Sequence, residues 1–116
     1  MHVDMKLKEA KKALDQEQYS EALAILSPLA NSGNADAQGY LGVMYQLGLG
    51  VERSGSEAVR WLQKAADQGN GSAAHNLGTI HLCGMPDVAP DRALAKKWYR
   101  KAHDLGFVVA DNSWYE

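Results

Sequence analysis

The feature that most constrains the fold of this chain is an internal repeat with a period of 36 to 37 residues. Pairs at a spacing of 36 are Ala37 and Ala73, Leu41 and Leu77, Gly42 and Gly78, and Gly48 and Gly84. Pairs at a spacing of 37 are Trp61 and Trp98, Lys64 and Lys101, Ala65 and Ala102, and Gly69 and Gly106. One residue is therefore inserted within the segment GMPDVAP. A fixed period of this length indicates a tandem array in which each unit buries its apolar face against its neighbours.

The pattern of residues in each unit predicts two helices joined by a turn. In the central unit the first helix ends near Gly48, which is free to adopt a positive φ. Gly42 borders its apolar stripe, where the lack of a side chain lets a neighbouring helix approach closely. The segment SGSE predicts a capping box. In this motif the Ser54 hydroxyl accepts a hydrogen bond from a backbone amide of the first turn, and the Glu57 side chain reaches back to the backbone amide of Ser54. Asp91 is the predicted cap in the next unit. The stripes are Ala37, Leu41, Met44 and Tyr45 in the first helix and Ala58, Trp61, Leu62 and Ala65 in the second.

The two ends of the chain predict variants of the same helix pair. The amino-terminal pair is poorer in glycine, starts its apolar stripe at Val3, and contains Pro28, which is expected to kink or shorten the second helix. Ala110 lies 37 residues after Ala73, so a further first helix is expected to begin there and to cap the array. The sequence thus predicts a single all-α domain, 1–116, with helix pairs in 3–33, 34–70 and 71–106 and a partial capping helix in 107–116.

The segments LGVMYQLGLGV and EAVRWLQKAADQGN resemble the Sel-one-like repeat, a relative of the tetratricopeptide repeat (TPR). The resemblance is strong from about residue 34 to residue 106, whereas residues 3–33 look more like a plain TPR unit. The second strong unit departs from the pattern at His81, where a tyrosine is usual, and lacks the glycine-valine turn. The resemblance implies a TPR-like, right-handed α-solenoid of about three helix pairs, whose first helices line a concave face, and a role in scaffolding protein complexes.

A stripe on the first helices is the candidate partner-binding surface. It lies opposite the packing stripe. Its apolar residues could anchor a bound peptide, and its polar residues could fix the register of that peptide along the groove. The alternative is that Tyr40, Val43 and Leu47 pack against the neighbouring amino-terminal helix. The candidate residues are Asp36, Tyr40, Val43 and Leu47 in the central unit and Ser72, Asn76, Thr79 and Cys83 in the next.

Composition limits the classes of protein that remain. The formal net charge of −2 argues against a duplex nucleic-acid binder, and no apolar run approaches the length of a membrane span. Cys83 is the only cysteine, so neither an intrachain disulfide nor a cysteine metal cluster can form. The absence of an apolar amino-terminal segment predicts a cytoplasmic protein, or a periplasmic one if a signal peptide has been removed.

Catalytic and metal sites are not expected. His75 and His81 are six residues apart, whereas a metal pair on one helix uses a spacing of four, so we interpret both as structural. Cys83 has no neighbour in sequence that would lower its pKa, and we expect it to be partly buried. No cofactor is expected. The last full helix is basic, which we interpret as a solvated outer face, with acidic partners or nucleic-acid phosphates as alternatives; its cations are Arg92, Lys96, Lys97, Arg100 and Lys101.

Three functions follow, in different classes. The first is a non-enzymatic adaptor that binds a protein or peptide on its concave face. The second is an immunity protein that neutralises a bacterial toxin, a role that the resemblance also allows. The third is a hydrolase using His75, His81 or Cys83, for which the sequence assembles no nucleophile, base and orienting group. Homodimerisation through exposed terminal helices stays open.

Overall fold

The repeats form consecutive pairs of antiparallel helices. A computed structural model of the chain describes residues 2–108, which contain the helices α1 (His2–Asp15), α2 (Tyr19–Asn31), α3 (Ala35–Leu47), α4 (Gly55–Asp67), α5 (Gly71–Cys83) and α6 (Arg92–Asp104). Helix α1 packs on α2, α3 on α4 and α5 on α6, and successive pairs meet through α2 with α3 and α4 with α5. This arrangement confirms the predicted all-α solenoid. Of the predicted capping segment, Phe107 and Val108 are not helical, and residues 109–116 lie outside the described residues.

Side-chain caps start the helices of the second and third pairs. The Asn34, Ser54, Asn70 and Asp91 side chains accept hydrogen bonds from the backbone amides of Ala37, Glu57, Ala73 and Leu94 at 2.8, 3.2, 2.9 and 3.0 Å. The predicted caps at Ser54 and Asp91 are thus confirmed. The reciprocal half of the capping box is wrong, because the Glu57 carboxylate pairs with Arg60 at 3.3 Å and the Ser54 amide donates to the Tyr45 carbonyl.

The first helix pair differs from its prediction at two positions. Pro28 does not shorten α2, which continues to Asn31 and has the same 13 residues as α3. Val3 is exposed, so the buried stripe of α1 begins further along the helix, where Ala10 and Ala13 are buried. Gly48 ends α3 in the left-handed conformation, as expected.

Two glycines let the helices of one pair come into direct contact. A Cβ atom on Gly42 would lie 2.6 Å from Cγ of Leu62 and 3.1 Å from its backbone nitrogen. Gly78 stands in the same relation to Tyr99, whose ring carbons would lie 2.8 Å from such a Cβ atom. The close approach predicted at Gly42 is therefore confirmed, and the same contact is repeated in the third pair.

The apolar core continues along the array in two main clusters. One cluster joins the first two pairs and includes Leu26, Leu41 and Met44. The other joins the last two pairs and includes Leu62 and Leu77. All five of these side chains are buried, so each pair is held by burial of apolar surface against its neighbour.

The loop between α5 and α6 caps a helix of the preceding pair. Asp87 accepts hydrogen bonds from the backbone amides of Gly55 at 2.9 Å and Ser56 at 3.0 Å, which are the first two residues of α4. The loop is shaped by an isolated bridge between Met85 and Val88. We call these two hydrogen bonds the Asp87 contact. The segment GMPDVAP, where the repeat has its extra residue, therefore links the third pair to the second.

The Asp87 contact is expected to make stability sensitive to acid. The hydrogen bond from the Ser56 amide, assisted by that from Gly55 and opposed by partial desolvation, lowers the pKa of Asp87. Because this pKa is lower in the folded chain than in the unfolded chain, the stabilising contribution is complete above about pH 4 to 5 and is lost as the pH falls through the folded pKa. Asp87→Asn should therefore lower the melting temperature at neutral pH, and the difference from wild type should shrink in acid.

Thermal melts of both proteins between about pH 7 and pH 3 would test this expectation. Glu52→Gln is the matched control, because Glu52 is exposed and its side chain makes no hydrogen bond to the described residues. A constant difference between wild type and Asp87→Asn over the whole range would contradict the assignment.

Candidate functional site

A groove runs along the side of the array that the first helices of the pairs form. It has a volume of about 720 Å³ and lies between the α1–α2 corner, α3 and the start of α5. We call it the inner groove. Its lining residues are Leu14, Tyr19, Ala35, Asp36, Gly39, Tyr40, Val43, Met44, Leu49, Gln68, Gly69, Asn70, Gly71, Ser72, Ala73 and Asn76.

Five of the eight predicted partner-binding residues line the inner groove. They are Asp36, Tyr40 and Val43 from α3 and Ser72 and Asn76 from α5. The alternative was that the stripe of α3 packs against its neighbours and binds no partner, and part of the surface of this stripe does pack. Tyr40 and Val43 are half-buried against the apolar core while their remaining surface faces the groove.

The other three predicted residues lie outside the inner groove. Thr79 bonds to the Tyr99 hydroxyl at 2.7 Å, so its side chain is turned towards α6. Leu47 is 59% exposed near the end of α3. Cys83, expected to be partly buried, is instead exposed at the end of α5.

A chain of polar contacts holds the wall of the groove at the α4–α5 turn. The Gln68 side-chain amide donates to Oε1 of Gln38 at 2.8 Å and to the Gly33 carbonyl at 3.0 Å. Gln38 is buried and donates in turn to the Ala30 carbonyl at 3.2 Å. This network joins the end of α2, the start of α3 and the end of α4, so hydrogen bonds between the first and second helix pairs hold one side of the groove.

Polar groups with unused hydrogen-bonding capacity face the groove. The side chains of Tyr40, Ser72 and Asn76 form no hydrogen bond to the described residues. Among the described residues, Asp36 is the only charged one that lines the groove, and its carboxylate accepts a long, 3.5 Å hydrogen bond from Asn70. Apolar walls with a few polar groups free to donate and accept are the usual make-up of a surface that binds a peptide.

The histidines of α5 lie away from the inner groove. The ring of His75 is 5.0 Å from those of both Tyr99 and Phe107, and burial lowers its pKa. His81 is buried at the position of the usual tyrosine. Burial lowers the pKa of His81 too, an effect that the negative charge of Asp91 partly opposes. Both rings therefore pack within the helix array, where burial favours the neutral form.

Eleven of the sixteen lining residues were not among the predicted partner-binding residues. Leu14, Tyr19 and Leu49 come from helix ends and from the turn after α3, where the periodic pattern stops. One sequence signal could have indicated the α4–α5 side of the groove, namely the pair Gly69 and Asn70 that follows α4. Asn70 must cap α5, and this places it and Gly71 beside the start of α3.

Comparison with known proteins defines the class of helical repeat. The family model of the Sel1 repeat matches residues 35–70 and 71–107. The chain therefore belongs to the Sel1 repeat family. Proteins of this family generally mediate protein–protein interactions, and their fold is typically a non-catalytic scaffold.

Two solved structures show the same architecture. A Sel1 repeat protein from Oxalobacter formigenes superposes with a TM-score of 0.76 at 32% identity, over 85% of this chain and 39% of that one. A protective antigen present in uropathogenic Escherichia coli strains, which displays an SLR fold, superposes with a TM-score of 0.80 at 30% identity, over 97% and 24% of the two chains.

The curated relatives are much longer proteins. DAP3-binding cell death enhancer 1 of Rattus norvegicus is 41% identical over 51 residues, which is 44% of this chain. HRD3A of Arabidopsis thaliana, an ERAD-associated E3 ubiquitin-protein ligase component, is 37% identical over 65 residues, which is 55% of this chain. The matched part is 10% of each relative. No helix among residues 2–108 combines the length and apolar character needed to cross a bilayer.

Proposed function

We propose that this chain is a non-enzymatic protein–protein interaction module whose inner groove binds a peptide segment of a partner protein. The observation that supports this most directly is that Tyr40 and Val43, which are partly exposed, line the same groove as Asn76, whose side chain forms no hydrogen bond within residues 2–108. The aromatic and aliphatic side chains supply apolar contact, and the amide of Asn76 can donate to and accept from a peptide backbone.

The rigidity of the groove favours binding. Its wall is fixed by Gln68 and by Asn70, which caps α5 and reaches Asp36 at the same time. A groove that is already formed avoids the entropic cost of ordering its own walls when the partner arrives. The names of two relatives are in keeping with the proposal, since one is called DAP3-binding and the other a component of a ubiquitin ligase.

A quantitative pull-down with substituted proteins tests the proposal. Tyr40→Ala together with Asn76→Ala should lose the proteins that wild type captures from a lysate of the source organism. For a purified partner, we expect affinity to fall by at least about tenfold, since truncating an anchor in the centre of an interface costs about 2 kcal/mol. Circular dichroism and thermal melting verify that the variant is folded.

Leu47→Asp is the matched control. It lies on the same helix as Tyr40 but is exposed outside the groove. Loss of capture by Leu47→Asp, with capture retained by the double variant, would move the binding surface to the end of α3 and contradict the proposal. The identity of the captured protein separates an adaptor from an inhibitor of a toxin.

A further inference from the structure

Helix α6 has a net positive charge, whereas the chain as a whole has a net negative charge. Helix α6 contains five lysines and arginines and one aspartate, whereas α4 contains two basic and two acidic residues. The whole chain has a formal net charge of −2, so positive charge is concentrated on one helix of an acidic protein. Lys96, Lys97, Arg100 and Lys101 line a shallow hollow of about 570 Å³ together with Ala93, Asp104 and Leu105. We call this surface the basic face.

The repeat allows a direct comparison of α6 with α4. Val59 of α4 packs against the core cluster that joins the second and third pairs, and the equivalent residue in α6 is Lys96. Ala66 is fully buried in the same cluster, and its equivalent is His103. Two of the positions through which α4 packs in this cluster are therefore cationic or polar in α6. At these two positions α6 offers less apolar surface than α4 does.

Tryptophan holds part of the basic face in place. The Lys97 and Lys101 ammonium groups lie 6.0 and 5.8 Å from the centre of the Trp98 ring, a range in which cation–π attraction acts. Lysines restrained by a buried ring lose less side-chain entropy on binding than free ones do. Lys97 and Lys101 are four residues apart on one helix, a spacing at which like charges destabilise the helix. An anion placed between them would relieve that repulsion.

We propose that the basic face binds an acidic segment of a partner protein, independently of the inner groove. Charge complementarity selects carboxylates, and the exposed side chain of Leu105 in the same hollow offers an apolar contact. A short segment that alternates glutamate with leucine satisfies both features. A long nucleic acid would extend beyond α6 over a molecule whose remaining charge is negative.

Fluorescence anisotropy with a labelled peptide of repeated Glu-Leu-Glu-Glu sequence tests the proposal. Wild type should bind it, and raising the salt from about 20 mM to about 300 mM should weaken binding, as expected for an exposed ionic surface. Lys96→Glu with Lys97→Glu should weaken binding by at least about tenfold. Tyr40→Ala with Asn76→Ala should leave it unchanged, which separates this surface from the inner groove.

Lys11→Glu with Lys12→Glu is the matched control, since it makes the same change of net charge on exposed, adjacent lysines of α1. Its affinity should stay within about twofold of wild type. Equal losses in the two charge-reversal variants, or no binding by wild type, would overturn the proposal. Tighter binding of a single-stranded RNA oligomer than of the peptide would also overturn it in favour of a nucleic-acid surface.

Discussion

Replacing Gly42 with alanine is expected to destabilise the chain by about 1–2 kcal/mol, although alanine is the better helix former by about 1 kcal/mol. The new methyl group would lie 2.6 Å from Cγ of Leu62. Leu62 is fully buried and its backbone nitrogen would be 3.1 Å away, so neither a rotamer change nor a small shift of the side chain removes the overlap. The helices α3 and α4 would have to separate.

Gly39→Ala on the same helix is the matched control. A methyl group at Gly39 would approach only the Asn70 side chain at 3.4 Å and Cβ of Ala65 at 3.9 Å. Its higher helix propensity should therefore leave the free energy of unfolding unchanged or raise it by up to about 1 kcal/mol. Urea unfolding measures both variants, and equal effects of the two substitutions would show that close packing is not what requires Gly42.

Leu62→Ala is expected to have the largest effect of any substitution considered for this chain, a loss of about 2–5 kcal/mol. The side chain is fully buried between α3 and the core of the last two pairs, so the lost atoms leave a cavity rather than an exposed surface. At the size of this domain such a loss lowers the melting temperature by roughly ten degrees or more.

The same substitution should change the effect of Gly42→Ala. With the atoms of Leu62 beyond Cβ removed, the methyl group at position 42 gains space, and its cost should fall by about 1 kcal/mol or more in the doubly substituted protein. Urea unfolding of the four proteins of this cycle gives the coupling directly. Additive effects would mean that the contact between Gly42 and Leu62 does not limit the spacing of the helices.

The repeat predicted most of the fold, because its period follows from packing that each helix pair must satisfy. Gly42 was predicted to allow close approach, and Ser54 and Asp91 to start helices, from local chemistry alone. The second half of the capping box failed because Glu57 has Arg60 one turn later on the same helix face, at a distance where an ion pair competes with the backbone amide.

The site was predicted less completely, since only part of it is periodic. Asp36, Tyr40 and Asn76 were found from helical spacing, but Tyr19 lies at the start of α2 and Leu49 in the turn after α3, where helical spacing gives no guide. Thr79 was placed with the groove residues because it repeats Val43. The Thr79 hydroxyl instead forms a hydrogen bond with the Tyr99 hydroxyl. Tyr99 stands where the central pair has Leu62, so the central pair offers no such partner at this position.

The basic surface on α6 was recognised from composition and interpreted as a solvated face, with acidic partners or nucleic-acid phosphates as the alternatives. Composition does not reveal that Lys97 and Lys101 flank the Trp98 ring, or that Lys96 stands at the position through which Val59 packs in the preceding pair. Both observations need three-dimensional neighbours as well as sequence spacing.

The Asp87 contact means that a segment that folds with all its helix caps does not coincide with one sequence repeat. Three orphan amides in the first turn of α4 are satisfied, that of Glu57 by Ser54 and those of Gly55 and Ser56 by Asp87, which follows in the next repeat. A gene duplication or deletion cut between residues 70 and 71 would therefore separate α4 from two of its three acceptors. Lengthening this array by recombination, in evolution or in engineering, keeps both hydrogen bonds only if the GMPDVAP loop is inherited together with the helix that precedes its own repeat.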